Sequence, residues 1–79
     1  MSIEIEVELA ANLKQTLNKR VFTYKLEEGA TVENLLDSLN YSELEKKYIL
    51  VSKNGKMAKL SEELKDKDKL FLSVLVGGG

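Results

Sequence analysis

Residues 3–9 of this chain read Ile-Glu-Ile-Glu-Val-Glu-Leu, a strict alternation of apolar and acidic side chains. Because successive side chains of a β-strand point to opposite faces, this pattern predicts a strand with one face in a hydrophobic core. That face is expected to contain the four apolar residues, Ile3, Ile5, Val7 and Leu9. The opposite face then carries an acidic stripe, which consists of Glu4, Glu6 and Glu8.

A second strand is predicted at residues 20–26, which are rich in β-branched and aromatic types. It is expected to pair with the first strand as a hairpin. The connection, residues 10–19, is polar, and Leu13 and Leu17 within it are spaced for one or two helical turns. Residues 27–30 are expected to form a turn at the end of the hairpin.

A helix is predicted to start after Thr31, which is placed as its N-cap, with Asn34 where a capping box usually has Glu. Asn40 is expected to stop this helix. Its apolar face is formed by residues at helical spacing, namely Val32, Leu35, Leu36 and Leu39. Residues 42–47 are expected to form a short second helix capped by Ser42.

Three further strands are predicted in the C-terminal half. Residues 48–53 form the third strand, and Asn54-Gly55 is a strong signal for a two-residue hairpin turn. Residues 57–60 form the short return strand, and residues 61–64 and 66–68 form turns. In the last strand, residues 70–76, alternation puts Leu70, Leu72, Val74 and Val76 on one face and Phe71, Ser73 and Leu75 on the other.

The order β-β-α-β-β-β predicts an α+β protein of the β-grasp (ubiquitin-like) architecture. In this fold one main helix packs on one face of a mixed sheet of four to five strands. The last strand is apolar on both faces, which is typical of a central strand, and the first strand is its expected parallel neighbour. We expect one domain over residues 1–76 and a flexible glycine tail over residues 77–79.

The amino-acid composition excludes most of the common kinds of enzyme active site. Among 79 residues there is no cysteine and no histidine, which excludes thiolate nucleophiles, imidazole bases and the common zinc ligands. Asp66-Lys67-Asp68 lacks the remaining residues of a calcium loop and is expected to be a turn. We therefore expect a protein that is not an enzyme and that binds no metal or cofactor.

Charge and hydropathy limit the classes of partner that we expect for this protein. The net charge is −1, and the lysines are interleaved with acids, which does not favour nucleic-acid binding. The longest apolar run, residues 70–76, is too short to span a membrane, and no signal peptide is visible. We expect a cytoplasmic protein that is a monomer when free.

Three features each leave two interpretations open. The acidic stripe is either a solvated sheet face or a docking surface for a basic partner. Phe71 and Leu75 are either core residues in an unusual register or part of a partner-facing apolar patch. The three C-terminal glycines have one interpretation without function, as a flexible terminus or a cloning remnant. In the other, they form a thin tail whose carboxylate enters another protein's narrow site.

The chain resembles the sulfur-carrier proteins of the MoaD/ThiS type over nearly its whole length. The resemblance rests on residues 10–14 after the first strand, residues 28–32 at the helix start, Ser52-Lys53-Asn54-Gly55 at the hairpin, and residues 64–70. The C-terminal Gly-Gly is its most specific element. This resemblance implies that a ubiquitin-activating-type enzyme uses ATP to adenylate the terminal carboxylate, which then receives sulfur as a thiocarboxylate.

The resemblance also implies roles for residues near the C-terminus. Gly79 carries the reacting carboxylate and Gly78 gives access to it. Contacts to the partner are assigned to Phe71, Ser73, Leu75, Val76 and Gly77. Two enzymes are implied as acceptors of the sulfur. A molybdopterin synthase large subunit, in molybdopterin or tungstopterin biosynthesis, is slightly favoured over a thiazole synthase in thiamine biosynthesis.

The chain departs from the family pattern at four places. Many members have an aromatic residue near Ser73, and the tail has three glycines instead of two. Val74-Leu75 replaces a frequent Pro-Pro before the tail, and Lys67 replaces a turn glycine. The lysine costs little if that turn avoids positive φ. Two other functions remain as alternatives: a ubiquitin-like modifier joined through Gly79 to target lysines, and an interaction module whose glycines are incidental.

Overall fold

A computed structural model describes residues 1–11, 13 and 19–74 of the chain. The described elements are, in chain order, β1 (Ser2–Leu9), β2 (Val21–Glu27), α1 (Val32–Ser38), α2 (Glu43–Tyr48), β3 (Ile49–Lys53), β4 (Lys56–Ala58) and β5 (Lys69–Val74). The predicted order of strands and helices is confirmed. Of the two leucines in the predicted helical turns, Leu13 is buried in the core, and Leu17 lies outside the described residues.

The strands form one five-stranded sheet in the order β2-β1-β5-β3-β4. β1 pairs with β2 antiparallel and with β5 parallel, and β3 pairs antiparallel with both β5 and β4. The last strand is therefore central and the first strand is its parallel neighbour, as predicted. The protein has the β-grasp fold, with its main helix on one face of a mixed sheet.

The core lies between this sheet and α1. Along β1 burial alternates strictly, with the acidic stripe exposed and the intervening apolar residues buried. The inward residues of β5, Leu70 and Leu72, are buried in the same layer. From the helix side the core receives Val32, Leu35, Leu36 and Leu39, all fully buried.

Both helices are short, and both begin with a capping box. The Thr31 hydroxyl accepts a hydrogen bond from the Asn34 backbone N–H at 3.2 Å, and the Asn34 side chain accepts one from the Thr31 N–H at 2.9 Å. Asn34 thus performs the role usually taken by Glu. Ser42 and Glu45 form the equivalent pair at the start of α2.

Several predicted boundaries shift by one or two residues. Tyr48 ends α2 instead of starting β3. The return strand covers residues 56–58 instead of 57–60, and Leu60 packs against the core from the following turn. Residues 61–64 form more than a capped turn, because Glu63 also makes an isolated β-bridge with Thr31.

Backbone angles in the turns agree with the predicted turn residues at two places, and at a third place a lysine has positive φ. Asn54 and Gly55 have φ values of 52° and 87°, as a type I′ hairpin turn requires. Asn40 has φ 68° directly after α1 and its C-cap, as predicted for a stop residue. The condition under which Lys67 would cost little is not met, since its φ is 71°.

Candidate functional site

The last described strand, β5, leads toward the C-terminal residues to which the reaction is assigned. β5 lies between β1 and β3, and its described part ends at Val74. The residues assigned to the reaction and to the tail root, Leu75, Val76, Gly77, Gly78 and Gly79, lie outside the described residues. Their roles, and the domain division at residue 76, stay predictions.

Phe71 and Ser73 are the two assigned partner contacts that the structure describes. Both point to the outer face of the sheet, away from α1, because their neighbours Leu70 and Leu72 point into the core. Phe71 is 40% exposed and Ser73 is half-buried. The open question about Phe71 is therefore answered: it is part of an outward apolar surface and not a core residue in an unusual register.

Phe71 belongs to a row of side chains that crosses the whole outer face. Strand register places residues from all five strands side by side, in the order Met57, Ser52, Phe71, Glu8 and Val21. We call these five residues the outer-face row. Adjacent strands are about 4.8 Å apart, so the row spans about 19 Å.

The outer-face row concentrates exposed apolar surface. Val21 is 68% exposed and Met57 is 67% exposed, so the row has apolar groups at both ends and Phe71 within it. Val21 and Met57 are not among the site residues expected from the sequence. Their outward direction follows from alternation in β2 and β4, but their alignment with Phe71 depends on register between strands that are distant in sequence.

The acidic stripe lies beside this apolar surface and is less uniform than the sequence indicates. Glu4 faces Lys25 on β2, and Glu6 faces Lys69 on β5. Glu8 instead lies between Val21 and Phe71. The stripe is therefore a mixed surface with a lysine opposite two of its three acids.

The buried charged groups of the described chain are used for structure. Lys46 is only 4% exposed, and its Nζ lies 2.5–3.1 Å from carboxylate oxygens of Glu33, Asp37 and Glu43. Hydrogen bonds to Asp37 and then Glu43 hold the pKa of Lys46 above its usual value, against the opposing effect of burial. This cluster joins α1 to α2, and it leaves no poised acid or base.

Asp68 is the other buried charged residue in the described part. One carboxylate oxygen accepts a hydrogen bond from the Asn54 side chain and the other from the Lys65 N–H, each at 2.8 Å. Across residues 1–11, 13 and 19–74, every buried side-chain nitrogen or oxygen has a partner. Within the same residues there is no group of three or more acidic side chains placed to hold a metal ion.

The described helices include none that is long and apolar enough to cross a membrane. The outer face of the sheet presents an apolar row with an acidic neighbour, and this row includes Phe71 on the last described strand.

Comparison with known proteins gives a family match and several structural relatives. Residues 7–79 match the model of the ThiS family. The crystal structure of small archaeal modifier protein 1 from Haloferax volcanii is 30% identical, with a TM-score of 0.73; the match covers 96% of this chain and 99% of that one. A search of curated proteins found no match.

Two further structures share the fold at lower identity. A protein of Pyrococcus furiosus described as a molybdopterin converting factor, subunit 1, is 23% identical with a TM-score of 0.74, covering 94% of this chain and 99% of that one. The ubiquitin of Caldiarchaeum subterraneum is 17% identical with a TM-score of 0.65, covering all of both chains. The β-grasp topology and a family match that spans most of its length show that this chain belongs to the ThiS family.

Proposed function

We propose that this protein is a sulfur carrier whose reactive group is the carboxylate of Gly79. The observation that carries this proposal is the ThiS family match, which extends through residue 79 and so includes all three C-terminal glycines. Within the described part of the chain no side-chain constellation offers an alternative chemistry. The protein acts as a co-substrate of other enzymes.

The proposed reaction has two steps on the partner. An oxygen of the Gly79 carboxylate attacks the α-phosphorus of ATP and releases pyrophosphate, which gives an acyl-adenylate. A sulfur nucleophile at the oxidation level of sulfide then attacks the acyl carbon and displaces AMP, which gives a thiocarboxylate. Glycine suits both steps, because no side chain crowds the carbonyl and the backbone can enter conformations barred to other residues.

The partner in both steps is a ubiquitin-activating-type enzyme, and its docking surface is the outer face of the sheet. Phe71 is the apolar anchor on this face, with Ser73 beside it on β5. Leu75, Val76 and Gly77 continue the contact toward the active site. Large aromatic residues carry a disproportionate share of interface energy, which favours Phe71 as the main described contact.

The acceptor of the sulfur is a cofactor-synthesis enzyme. We place a molybdopterin synthase large subunit first, in molybdopterin or tungstopterin biosynthesis, and a thiazole synthase of thiamine biosynthesis second. An assay with the two purified enzymes distinguishes these acceptors. The thiocarboxylated chain should bind to one of them and transfer sulfur to it, and should do neither with the other.

A second function is favoured by one observation, the 30% identity to small archaeal modifier protein 1. In a modifier the same acyl-adenylate is attacked by the amine of a target lysine, directly or after transfer to a thiol, and an isopeptide bond forms at Gly79. The activation step is shared, so an activation assay alone does not separate the two functions.

The activation step is tested with the purified ubiquitin-activating-type enzyme of the same organism. We expect the chain to support ATP–pyrophosphate exchange, and we expect removal of Gly78-Gly79 to abolish it. Gly79→Ala should slow exchange by at least about tenfold, because a methyl group next to the carboxylate then hinders its placement against the α-phosphorus of ATP. No exchange above background with the wild-type chain would instead support an interaction module with incidental glycines.

A further inference from the structure

We infer that Glu8 is the specificity-determining residue of the outer face and that it receives an arginine of the activating enzyme. This inference rests on the proposed function, because it names a contact with the same partner. Among the residues of the acidic stripe and the outer-face row, only Glu8 belongs to both.

Glu8 differs from the other acids of the stripe in its cross-strand neighbours. Opposite charges that face each other across strands attract, so Lys25 and Lys69 offset the fields of Glu4 and Glu6. Glu8 has the apolar residues Val21 and Phe71 on its two sides. Among residues 1–11, 13 and 19–74, no salt bridge includes any of the three acids of the stripe, so the difference between them is the identity of their cross-strand neighbours. Glu8 is therefore the acid of the stripe that lacks a facing cation.

A small depression adjoins this carboxylate. Its volume is about 110 Å³, and it is lined by Glu6, Val7, Glu8, Val21, Lys69 and Leu70. Small-molecule sites usually measure about 300–1,000 Å³, so this space suits the end of one side chain from a partner and not a ligand. Its lining has two carboxylates and one ammonium group, which leaves one negative charge for an incoming cation.

Arginine fits this position better than lysine. A guanidinium group can pair with a carboxylate through two parallel hydrogen bonds and can also stack on an aromatic ring. Phe71 does not line the depression, but it faces Glu8 from β5 and is 40% exposed, so an aromatic ring lies next to the carboxylate that the guanidinium would pair with. Apolar groups on both sides would exclude water from the docked pair, which strengthens the charge interaction.

The test measures binding of the intact chain to the purified activating enzyme of the same organism in the presence of ATP. Glu8→Gln and Glu8→Arg are compared with Glu4→Gln and Glu4→Arg, which change the same strand and the same face. We expect Glu8→Arg to raise Kd by at least about tenfold, and the Glu4 variants to change it by less than about threefold. Glu8→Gln, which keeps the shape, should weaken binding and reduce its dependence on salt.

The outcomes separate this inference from the proposed function. If the wild type is adenylated and the Glu8 and Glu4 variants bind equally well, or are weakened equally, the inference is wrong and the function stands. If the wild type is not adenylated, the proposed function fails and the inference fails with it. An arginine-to-glutamate substitution in the enzyme that restores binding of Glu8→Arg would support the inference directly.

Discussion

Lys67 is the residue with the most evident local strain in the described chain. It follows Asp66 in the turn that leads into β5, and its φ of 71° is in the left-handed region. The conformation is imposed by hydrogen bonds to β1: the Lys67 N–H donates to the Glu4 carbonyl at 2.7 Å, and the Asp66 side chain accepts from the Glu4 N–H at 2.8 Å. The turn is fixed at both ends, so the lysine cannot relax without breaking these bonds.

Lys67→Gly should therefore stabilise the protein. Glycine adopts positive φ without the clash of a Cβ atom, and we expect a gain of about 0.5–1 kcal/mol after its larger entropy in the unfolded chain is included. Chemical denaturation measures this change. Lys67→Ala is the matched control, because it removes the long side chain but keeps the Cβ. A gain of the same size for alanine would show that backbone strain is not the cause.

At the scale of elements, α2 depends on contacts that its sequence does not reveal. It has only six residues, and isolated helices of this length are not stable in water. The Ser42 capping box supports its start, and Lys46 joins it to α1 through Glu33 and Asp37. α2 contributes no apolar residue to the core, so it is held in place by these charge pairs and by the buried residues on either side of it, Tyr41 and Ile49.

Lys46→Met should lower the midpoint of unfolding near neutral pH, because it leaves three carboxylates close together without their cation. Lys47→Met, one residue later on the exposed side of α2, should leave it unchanged.

The pKa of Lys46 is raised in the folded state, so the folded chain holds this proton more tightly than the unfolded chain. Its contribution to stability is complete below the unfolded pKa of about 10.4 and is lost as pH rises toward the folded value. Denaturation of both chains at several pH values above 10 measures this. A wild-type advantage over Lys46→Met that does not shrink there would contradict this explanation.

An element could be predicted well when the residues that determine it are close together in the sequence. β1, the capped start of α1 and the Asn54-Gly55 turn follow from local patterns, and each is confirmed. The burial of Lys46 could not be predicted, because its partners Glu33 and Asp37 lie on another helix.

At the scale of the whole molecule, one face of the sheet packs in the core and the other faces solvent. The direction of Phe71 could be predicted from alternation in one strand, but the outer-face row could not, because it needs the register of five strands. Leu75 to Gly79 lie outside the described residues, so the reactive end of the site stays a prediction.

Separate roles for the two faces can be tested with a pair of alanine variants. Phe71→Ala removes an apolar group from the outer face, and Leu26→Ala removes a partly buried one that packs against the core. Both should cost about 1–2 kcal/mol of stability, but only Phe71→Ala should weaken binding to the activating enzyme, by about tenfold or more. Titration calorimetry at a temperature where both variants are folded provides the comparison. Equal losses of affinity would contradict the assignment of the outer face to docking.

The most direct test of the sulfur-carrier function is the mass of the C-terminal peptide of protein purified from its own host. We predict that a fraction of the chains has sulfur in place of one oxygen in the carboxylate of Gly79. The gain should be absent from chains purified after deletion of the activating enzyme. An unmodified carboxylate together with Gly79 joined to lysines of other proteins would contradict the carrier function and establish the modifier instead.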